Sequence, residues 1–291
     1  MRSLIVGMGI GQLYQTVLSN LNHSIYTLDT DPDKNADFTD IDQILSAKRV
    51  YDTIHICTPN FTHFDIAYRL ANKGKIIFIE KPGVKNSEEW RYLVNKFPKT
   101  RFMMVKNNQY RDNIDHIVEL ANNSKTISLN WRNKDRVPNP GSWFTDIEKS
   151  YGGVSRDLMP HLLSIFIKCV PDYLKAELIK KESDQEWELK NLLSTEYGTI
   201  DPNGIYNVDD CFELHYEIND QIYKLSSAWR TLSDDDRAIH YDDQSIELGL
   251  CPESAYQNMI KHALNNIDND EFWTEQLIQD LWIHNQIDFE K

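Results

Sequence analysis

The first part of the chain alternates short apolar runs with segments of helical periodicity. The apolar runs lie at residues 4–6, 24–28, 53–57, 76–79 and 101–105, and the helix-like segments lie at residues 12–21, 62–73, 87–97 and 113–122. Short apolar runs bounded by turn residues are typical of strands buried on both faces, which crossover helices connect. The pattern predicts an α/β domain at residues 1–122, a doubly wound parallel sheet of the Rossmann type.

The pattern changes after Asn123. Longer alternating segments lie at residues 125–132, 174–180, 186–196, 211–218 and 221–229, and helical periodicity returns at residues 154–170, 253–266 and 271–286. Short polar turns such as Asn219-Asp220 separate neighbouring strand-like segments, as they do in hairpins. We therefore predict a second domain at residues 123–291, of α+β class with a mainly antiparallel sheet.

Length and charge limit the kinds of partner. A chain of 291 residues is long enough for two domains, and 41% hydrophobic with 26% charged residues is ordinary for a folded protein. The formal net charge of −14 repels phosphate backbones and anionic lipid headgroups. We expect no nucleic-acid partner and no membrane partner, although a local pocket can still hold a small charged substrate.

The spacing of cysteine and histidine residues gives no sign of a metal site. The four cysteines are far apart and form no CxxC pair, which argues against zinc and against a disulfide framework. The N-terminal apolar run is too short for a signal peptide, and no long apolar stretch follows it. The sequence therefore predicts a cytoplasmic protein without a bound metal.

A glycine-rich loop, GMGIGQ at residues 7–12, follows the first strand. The dinucleotide fingerprint places glycines at 7, 9 and 12, so Gly7 permits the tight turn and Gly9 lets the backbone approach a pyrophosphate. Gln12 replaces the third glycine, which either weakens the helix–strand packing or shifts it to Gly11. Ordinary strand-to-helix turns also contain glycine, so the loop alone is a weak signal. The loop residues predicted to contact the cofactor are Gly7, Gly9, Ile10 and Gly11.

Asp29 ends the second strand-like run, where dinucleotide-binding domains carry an acid. A carboxylate there accepts hydrogen bonds from the adenosine ribose hydroxyls and repels a 2′-phosphate, so it favours NAD over NADP. Lys34 is the nearest base that a 2′-phosphate could recruit. The alternative is a local turn role, because Asp31-Pro32 and Asp33 make the same segment turn-prone.

The motifs that follow the third and fourth strands are more distinctive than the glycines. They are CTPNFTH at residues 57–63 and EKP at residues 80–82. Further along, WFTD at residues 143–146 precedes YGGVSRDLMPH at residues 151–161, which contains a D-x-x-x-H pair. Together these motifs resemble those of the glucose-fructose oxidoreductase / inositol dehydrogenase (Gfo/Idh/MocA) family of oxidoreductases, and the resemblance reaches about residue 165.

This resemblance implies an NAD(P)-dependent dehydrogenase or reductase that acts on a CH–OH group of a sugar, nucleotide sugar, inositol or similar small polyhydroxylated substrate. It also implies that the second domain has an open sheet, covered by helices on one face and used on the other to form a homodimer or homotetramer. The residues that it assigns to the nicotinamide side of the cofactor are Thr58, Pro59, Asn60, His63, Glu80 and Lys81.

Lys81 is the first candidate for handling the proton of the reaction. Removal of a hydride from a hydroxyl-bearing carbon requires loss of the hydroxyl proton. Lys81 follows a buried strand at the carboxyl edge of the sheet, where doubly wound folds bind ligands, and its ammonium can stabilise a developing alkoxide. An ordinary surface lysine is the alternative. By resemblance the Lys81–Pro82 bond is cis, and Glu80 orients Lys81 or the nicotinamide ribose.

Asp157 and His161 form the second candidate group. Their i, i+4 spacing places both on one helical face, where a carboxylate can orient an imidazole. We predict His161 as the proton acceptor, against the alternative of a structural histidine. Pro160 requires the helix to begin late or to kink beside His161. Ser164 stands where the family often has an acid, which leaves the proton network open.

Four further residues are predicted to contact the substrate: Asn107, Arg111, Trp143 and Tyr151. Arg111 could clamp a carboxylate or phosphate, whereas an exposed loop with helix-capping residues is an equal alternative for this segment. Trp143 either walls the substrate pocket or anchors a loop. Two other functions remain open: a nicotinamide-binding sensor without catalysis, and a reductase of an imine or tetrapyrrole on the same fold.

Overall fold

A computed structural model of the chain describes residues 1–134, 136–185, 198–231, 233–242 and 244–288. The described chain forms two compact units. The first contains Met1–Tyr110 together with the chain from Pro252 onward, and the second contains Arg111–Cys251. The predicted strand at residues 186–196 lies outside the described residues.

The first unit is built on a five-stranded parallel sheet with the order β2-β1-β3-β4-β5. Its strands and the helices between them are β1 (Arg2–Val6), α1 (Gly11–Asn20), β2 (Ser24–Leu28), α2 (Ile41–Ser46), β3 (Tyr51–Ile56), α3 (His63–Leu70), β4 (Gly74–Ile79), α4 (Ser87–Lys96) and β5 (Arg101–Met104). Every strand pair in this sheet is parallel. Central strand residues such as Leu4, Ile54 and Ile77 are fully buried, as their uninterrupted apolar runs indicate. The predicted Rossmann-type sheet is confirmed.

Two C-terminal helices complete the first unit, α9 (Glu253–Asn265) and α10 (Asp270–Ile287). Helix α9 packs against α1, and α10 packs against β5 and α4. Helix α10 brings a buried Asp280 to the end of β5, where it forms an ion pair with Lys106 and accepts a hydrogen bond from the Met104 amide at 3.1 Å. The predicted domains at residues 1–122 and 123–291 therefore differ from the compact units. Periodicity shows that a helix has a buried face but not which sheet it covers.

The second unit contains a six-stranded sheet with the order β11-β10-β6-β9-β8-β7. Its elements are α5 (Ile114–Asn122), β6 (Thr126–Arg132), α6 (Ile147–Ser150), α7 (Val154–Asp157), α8 (Met159–Cys169), β7 (Glu177–Asp184), β8 (Cys211–Ile218), β9 (Gln221–Ala228), β10 (Asp236–Tyr241) and β11 (Gln244–Glu247). Strands β6 and β9 are parallel, and the other pairs are antiparallel. Asn219 and Asp220 both have positive φ, which gives the tight hairpin expected between β8 and β9.

Helices cover one face of this second sheet. The buried helix α8 packs on β6 and β9, and its Phe166 ring lies 4.7 Å from the ring of Tyr216. Side chains on the other face are polar and ion-paired, as in the contact of Lys180 with Glu213 at 2.8 Å. The antiparallel pairing of most strands confirms the predicted mainly antiparallel sheet. The predicted helix at residues 154–170 divides into α7 and α8 at Leu158.

The described residues contain neither a membrane-spanning helix nor a cluster of metal ligands. No helix in the described ranges combines the length and the apolar character needed to span a membrane. Within those same ranges, no three or more His, Cys, Asp and Glu side chains come together as a metal site would require.

Candidate functional site

The glycine-rich loop between β1 and α1 depends on Gly7. Its φ of +92° lies in the left-handed region, and a Cβ placed there would lie 2.8 Å from the Cys57 carbonyl oxygen and 2.8 Å from the Thr58 Cγ2. The Gly7 amide donates to the Leu28 carbonyl at 2.8 Å. Only glycine fits at this position, where the loop meets the end of β3.

The next two glycines have different surroundings. A Cβ at Gly11 would lie 2.8 Å from the Ile5 Cγ2, so the close helix–strand packing of the missing third glycine has shifted to Gly11. A Cβ at Gly9 would meet no atom within 4 Å. Helix α1 has no side-chain cap at Ile10 and no acid in its first turn. The loop therefore leaves open space beside helix amides that can donate hydrogen bonds to an anion.

Asp29 connects β2 to the glycine loop. Its carboxylate accepts hydrogen bonds from the Met8 amide at 2.6 Å and from the Asp31 amide at 2.9 Å. The turn itself is capped by Asp31, which accepts from the Asp33 amide at 3.0 Å. An ionised carboxylate has about four lone-pair positions, so Asp29 can serve this turn and still accept from two ribose hydroxyls. The two roles considered for Asp29 are compatible.

The turn after β3 presents Thr58 and Pro59 at the same edge of the sheet. Both are half-buried, whereas Asn60 is 9% exposed. The Thr62 hydroxyl lies 2.6 Å from the Thr58 Oγ1 and 2.7 Å from the Pro59 carbonyl oxygen. These contacts fix the turn through its own polar groups.

His63 follows this turn and is fully buried. Its Nδ1 lies 2.6 Å from the Gly83 carbonyl oxygen, and its Nε2 lies 2.7 Å from the Thr58 carbonyl oxygen. Burial lowers the pKa of His63, which the two carbonyls oppose and the Lys81 charge reinforces. The predicted cofactor contact does not agree with this geometry, because both ring nitrogens face backbone carbonyls inside the protein.

Lys81 lies in a tight turn at the end of β4. The Gly83 amide donates to the Glu80 carbonyl at 2.8 Å, and the Lys81–Pro82 bond is cis, as the resemblance implied. The Glu80 carboxylate accepts from the Lys81 amide at 3.2 Å and from the Tyr14 hydroxyl at 2.6 Å. Burial raises the pKa of Glu80, against the effects of the Tyr14 hydrogen bond and the Lys81 charge. The half-buried Lys81 is thus held at the carboxyl edge of the sheet.

Asn107 lies in a short 3-10 turn after β5. It is 1% exposed, and its side-chain oxygen accepts from the Asn108 amide at 3.0 Å. The sequence predicts a substrate contact for Asn107, whereas its side chain is buried inside the first unit and hydrogen-bonded within its own turn. The neighbouring Lys106 is also buried, and the ion pair with Asp280 anchors this segment to α10.

In the second unit, Asp157 ends α7 and His161 lies in the first turn of α8. Pro160 is accommodated in that first turn, so the helix begins late as predicted. The Asp157 carboxylate accepts from the Trp229 indole at 2.8 Å. The half-buried His161 ring stacks on Trp131, with the ring centroids 5.4 Å apart. Asp157 is thus held by the tryptophan that follows β9, and His161 by a tryptophan of β6.

Ser164 does not replace the acid of the family pattern. It is 1% exposed, and its hydroxyl donates to the backbone carbonyl of His161 at 2.7 Å. This is a common local bond of serine within a helix. Ser164 therefore supports the backbone of α8 and does not orient the imidazole.

Asp209 fixes the glycine turn that precedes α7. Its buried carboxylate accepts from the Gly153 amide at 2.7 Å, the Ser155 amide at 2.7 Å and the Ser155 hydroxyl at 2.8 Å. Burial raises the pKa of Asp209, and these hydrogen bonds oppose the shift. A Cβ at Gly153 would overlap the Asp209 carbonyl oxygen, so glycine is required. Sequence reasoning missed Asp209 because the two segments are distant along the chain.

The other predicted substrate residues of the second unit differ in exposure. Arg111 is 6% exposed and donates to the carbonyls of Leu248 and Gly249. The predicted anion clamp does not agree with this arrangement, because the guanidinium holds a loop of its own unit. Trp143 is half-buried and its ring stacks on Phe144. Tyr151 is half-buried and ends α6 with a φ of +68°.

The comparison with protein families concerns the N-terminal half. Residues 1–107 match the model of the Gfo/Idh/MocA family, described as an oxidoreductase family with an NAD-binding Rossmann fold. These residues are similar to the NAD-binding Rossmann domain of that family. The resemblance seen in the TPN and EKP motifs is confirmed for this part of the chain.

One curated relative extends the comparison. It is provisionally named as the oxidoreductase subunit of a UDP-kanosamine synthase from Amycolatopsis mediterranei (strain S699), and it is 29% identical over 151 residues. The match covers 48% of this chain and 42% of the relative. This chain thus spans less than half of the relative's length in the match.

Solved structures share the fold over nearly the whole chain. GenD2 from gentamicin A biosynthesis, in complex with NAD, has a TM-score of 0.74 at 16% identity and covers 99% of this chain and 92% of its own. Levoglucosan dehydrogenase with NADH and levoglucosan has a TM-score of 0.73 at 14% identity, covering 99% and 95%. The WlbA (WbpB) dehydrogenase from Thermus thermophilus, with NAD and UDP-GlcNAcA, has a TM-score of 0.68 at 14% identity, covering 98% and 94%. At such identities the likeness shows the fold.

In the first unit, Tyr14 is a residue to which sequence reasoning gave no role. It lies on the buried face of α1, and its hydroxyl donates to the Glu80 carboxylate of the EKP turn. A buried tyrosine normally has a hydrogen-bond partner. The helical position of Tyr14 thus indicates burial, but only the fold shows that the partner is the motif glutamate.

Proposed function

We propose that this chain is an NAD-dependent oxidoreductase that transfers a hydride between nicotinamide and a CH–OH group of a sugar, nucleotide sugar, inositol or similar small polyhydroxylated substrate. One observation carries the proposal. The Glu80–Gly83 turn holds Lys81 at the carboxyl edge of a parallel sheet, and the open Gly9 position lies in the loop after β1 of the same sheet. Ligands bind at this edge in doubly wound folds.

The residues of the glycine loop fit a dinucleotide. The empty space at Gly9 admits a pyrophosphate, and the uncapped N-terminus of α1 offers amide donors to its charge. Asp29 retains acceptor capacity for the ribose hydroxyls and would repel a 2′-phosphate, which supports NAD as the preferred cofactor. Bound NAD supplies a carbon that accepts or returns the hydride.

Lys81 and His161 are assigned to the substrate oxygen and its proton. The Lys81 ammonium stabilises negative charge on the oxygen of an alkoxide or carbonyl, and Glu80 fixes the Lys81 backbone. His161 is assigned to accept the hydroxyl proton in oxidation and to return it in reduction. Asp157 is assigned to tune or orient His161, with its own carboxylate held by Trp229.

The substrate class rests on the relatives. Levoglucosan dehydrogenase was solved with a sugar derivative, and the WlbA dehydrogenase with a nucleotide sugar. The curated relative is also named for a nucleotide sugar. A polyhydroxylated substrate is therefore the first class to test, ahead of imines and tetrapyrroles.

Turnover and cofactor binding test this function separately. We expect tighter binding of NAD than of NADP by calorimetry, and a change of reduced-nicotinamide absorbance with at least one compound among myo-inositol, simple sugars and UDP-sugars. Lys81→Met should lower turnover by about 100- to 10,000-fold while NAD affinity stays within threefold, since the lysine acts on the reacting oxygen. Lys99→Met, at an exposed lysine, is the matched control. Normal turnover by Lys81→Met would refute the assignment, and NAD binding without turnover of any compound would favour the sensor.

We also propose that the chain forms a homodimer or homotetramer through the open face of the second sheet. That face is half-exposed and carries opposite charges, including Arg132 beside Glu213 at 3.5 Å. Light scattering measures the mass directly. A monomer at enzyme-assay concentrations would contradict this part of the proposal. The cytoplasmic location stays a prediction from the sequence.

A further inference from the structure

His63 is in contact with two separate turns of the candidate site. It is the first residue of α3, and its ring is fully buried. One ring nitrogen faces the Thr58 carbonyl, in the turn after β3, and the other faces the Gly83 carbonyl, which closes the turn that carries Lys81.

The ring can make both contacts only as a donor. Carbonyl oxygens accept hydrogen bonds, and a neutral imidazole has a single N–H. At distances of 2.6 Å and 2.7 Å, a nitrogen lone pair facing a carbonyl oxygen would be repelled. The neutral ring therefore ties one turn, and the imidazolium ties both. Lys81 is the charged group that acts on this ring, and it opposes the imidazolium.

We propose that His63 is a positioning residue that, as the imidazolium, ties the Lys81 turn and the Thr58 turn to each other, instead of a residue that touches the cofactor. The inference rests on the proposed function, in which the Thr58 turn contacts the nicotinamide side and Lys81 acts on the substrate oxygen. Each tether then has its own effect: the bond to Gly83 positions Lys81, and the bond to Thr58 positions the cofactor turn.

Two conservative variants separate the tethers. The amide nitrogen of asparagine occupies the place of the histidine Nδ1, so His63→Asn keeps the bond to Gly83 and loses the bond to Thr58. The amide nitrogen of glutamine occupies the place of Nε2, so His63→Gln keeps the bond to Thr58 and loses the bond to Gly83. The two variants are therefore matched controls for each other.

We expect opposite effects of these variants on binding and turnover. His63→Asn should weaken NAD binding about tenfold in calorimetry and leave kcat within threefold, while His63→Gln should lower kcat about tenfold and leave NAD binding within threefold. The substrate for kcat is the compound among myo-inositol, simple sugars and UDP-sugars that the parent oxidises fastest. Equal effects of both variants, or a loss of thermal stability alone, would overturn the positioning role.

A measurement without substrate distinguishes a failure of this inference from a failure of the proposed function. In ¹⁵N-histidine-labelled protein, the His63 ring should carry two slowly exchanging N–H protons, one facing each carbonyl, since a buried N–H bonded to a carbonyl is protected from water. The signal is assigned by its loss in His63→Gln. A rapidly exchanging ring would refute the tether, whereas an active Lys81→Met together with a protected His63 ring would refute only the proposed catalytic role of Lys81.

Discussion

A single methyl group should have opposite consequences at Gly9 and at Gly11. A Cβ at Gly9 enters space in which no protein atom lies within 4 Å. A Cβ at Gly11 would lie 2.8 Å from the Ile5 Cγ2, well inside the 3.4 Å at which ordinary contact begins. Gly9→Ala should therefore disturb a ligand and not the protein, and Gly11→Ala should disturb the protein.

The expected magnitudes follow from these surroundings. Ile5 is fully buried in β1, so it cannot move away from a new methyl group, and overpacking of this kind costs about 1–3 kcal/mol of unfolding free energy. The better helix propensity of alanine offsets at most about 1 kcal/mol of this cost. At Gly9, a methyl group would hold the pyrophosphate away from the loop amides, and each lost charge-assisted hydrogen bond costs about 1.5–3 kcal/mol. That corresponds to a 10- to 150-fold weaker affinity for NAD.

Urea unfolding and NAD calorimetry on the parent and both variants distinguish the two roles. We expect Gly9→Ala to unfold at the parent midpoint with the affinity loss given above, and Gly11→Ala to unfold at lower urea with parental affinity in the folded protein. If Gly9→Ala bound NAD as the parent does, the loop would not be the pyrophosphate site. If Gly11→Ala were fully stable, the packing role that we assign to Gly11 would be wrong.

The buried ion pair between α10 and the end of β5 gives two further predictions. Asp280→Asn should lower the free energy of unfolding in urea by about 3–5 kcal/mol, because it leaves the buried Lys106 charge unpaired. The double change Lys106→Met, Asp280→Leu should recover most of this stability, because it removes both charges. An equally unstable double variant would contradict this reasoning.

Most of the fold could be predicted from periodicity. The predicted strand at 211–218 coincides with β8, and the predicted helix at 253–266 differs from α9 by one residue. Hydrophobic spacing reports which face of an element is buried, and this is enough to place elements along the chain. It does not report which surface covers that face, so the return of α9 and α10 to the first unit could not be predicted.

The site could be predicted in part, and the rest depended on distant contacts. The glycine loop and the EKP turn are local, so their residue order indicates their geometry. The transfer of the third glycine's role to Gly11 depends on the distance to Ile5, which the sequence does not contain. The capping of the glycine turn by Asp209 joins segments separated by 54 residues or more, and no local signal predicts it.

Polar residues in loop motifs have two possible tasks, and burial distinguishes them. Strand ends leave backbone carbonyls and amides without partners in the sheet, and buried groups of this kind must be satisfied. His63 and Arg111 are at most 6% exposed and donate to loop carbonyls, so their chemistry serves the backbone that shapes the site. Lys81 and His161 are instead half-buried, where a ligand can reach a side chain. Lys81 lies in the turn after β4, and His161 lies in the first turn of α8. The sequence predicted a ligand contact for all four because it shows only the residue type. The packing around each side chain determines whether that side chain bonds to the backbone or contacts a ligand.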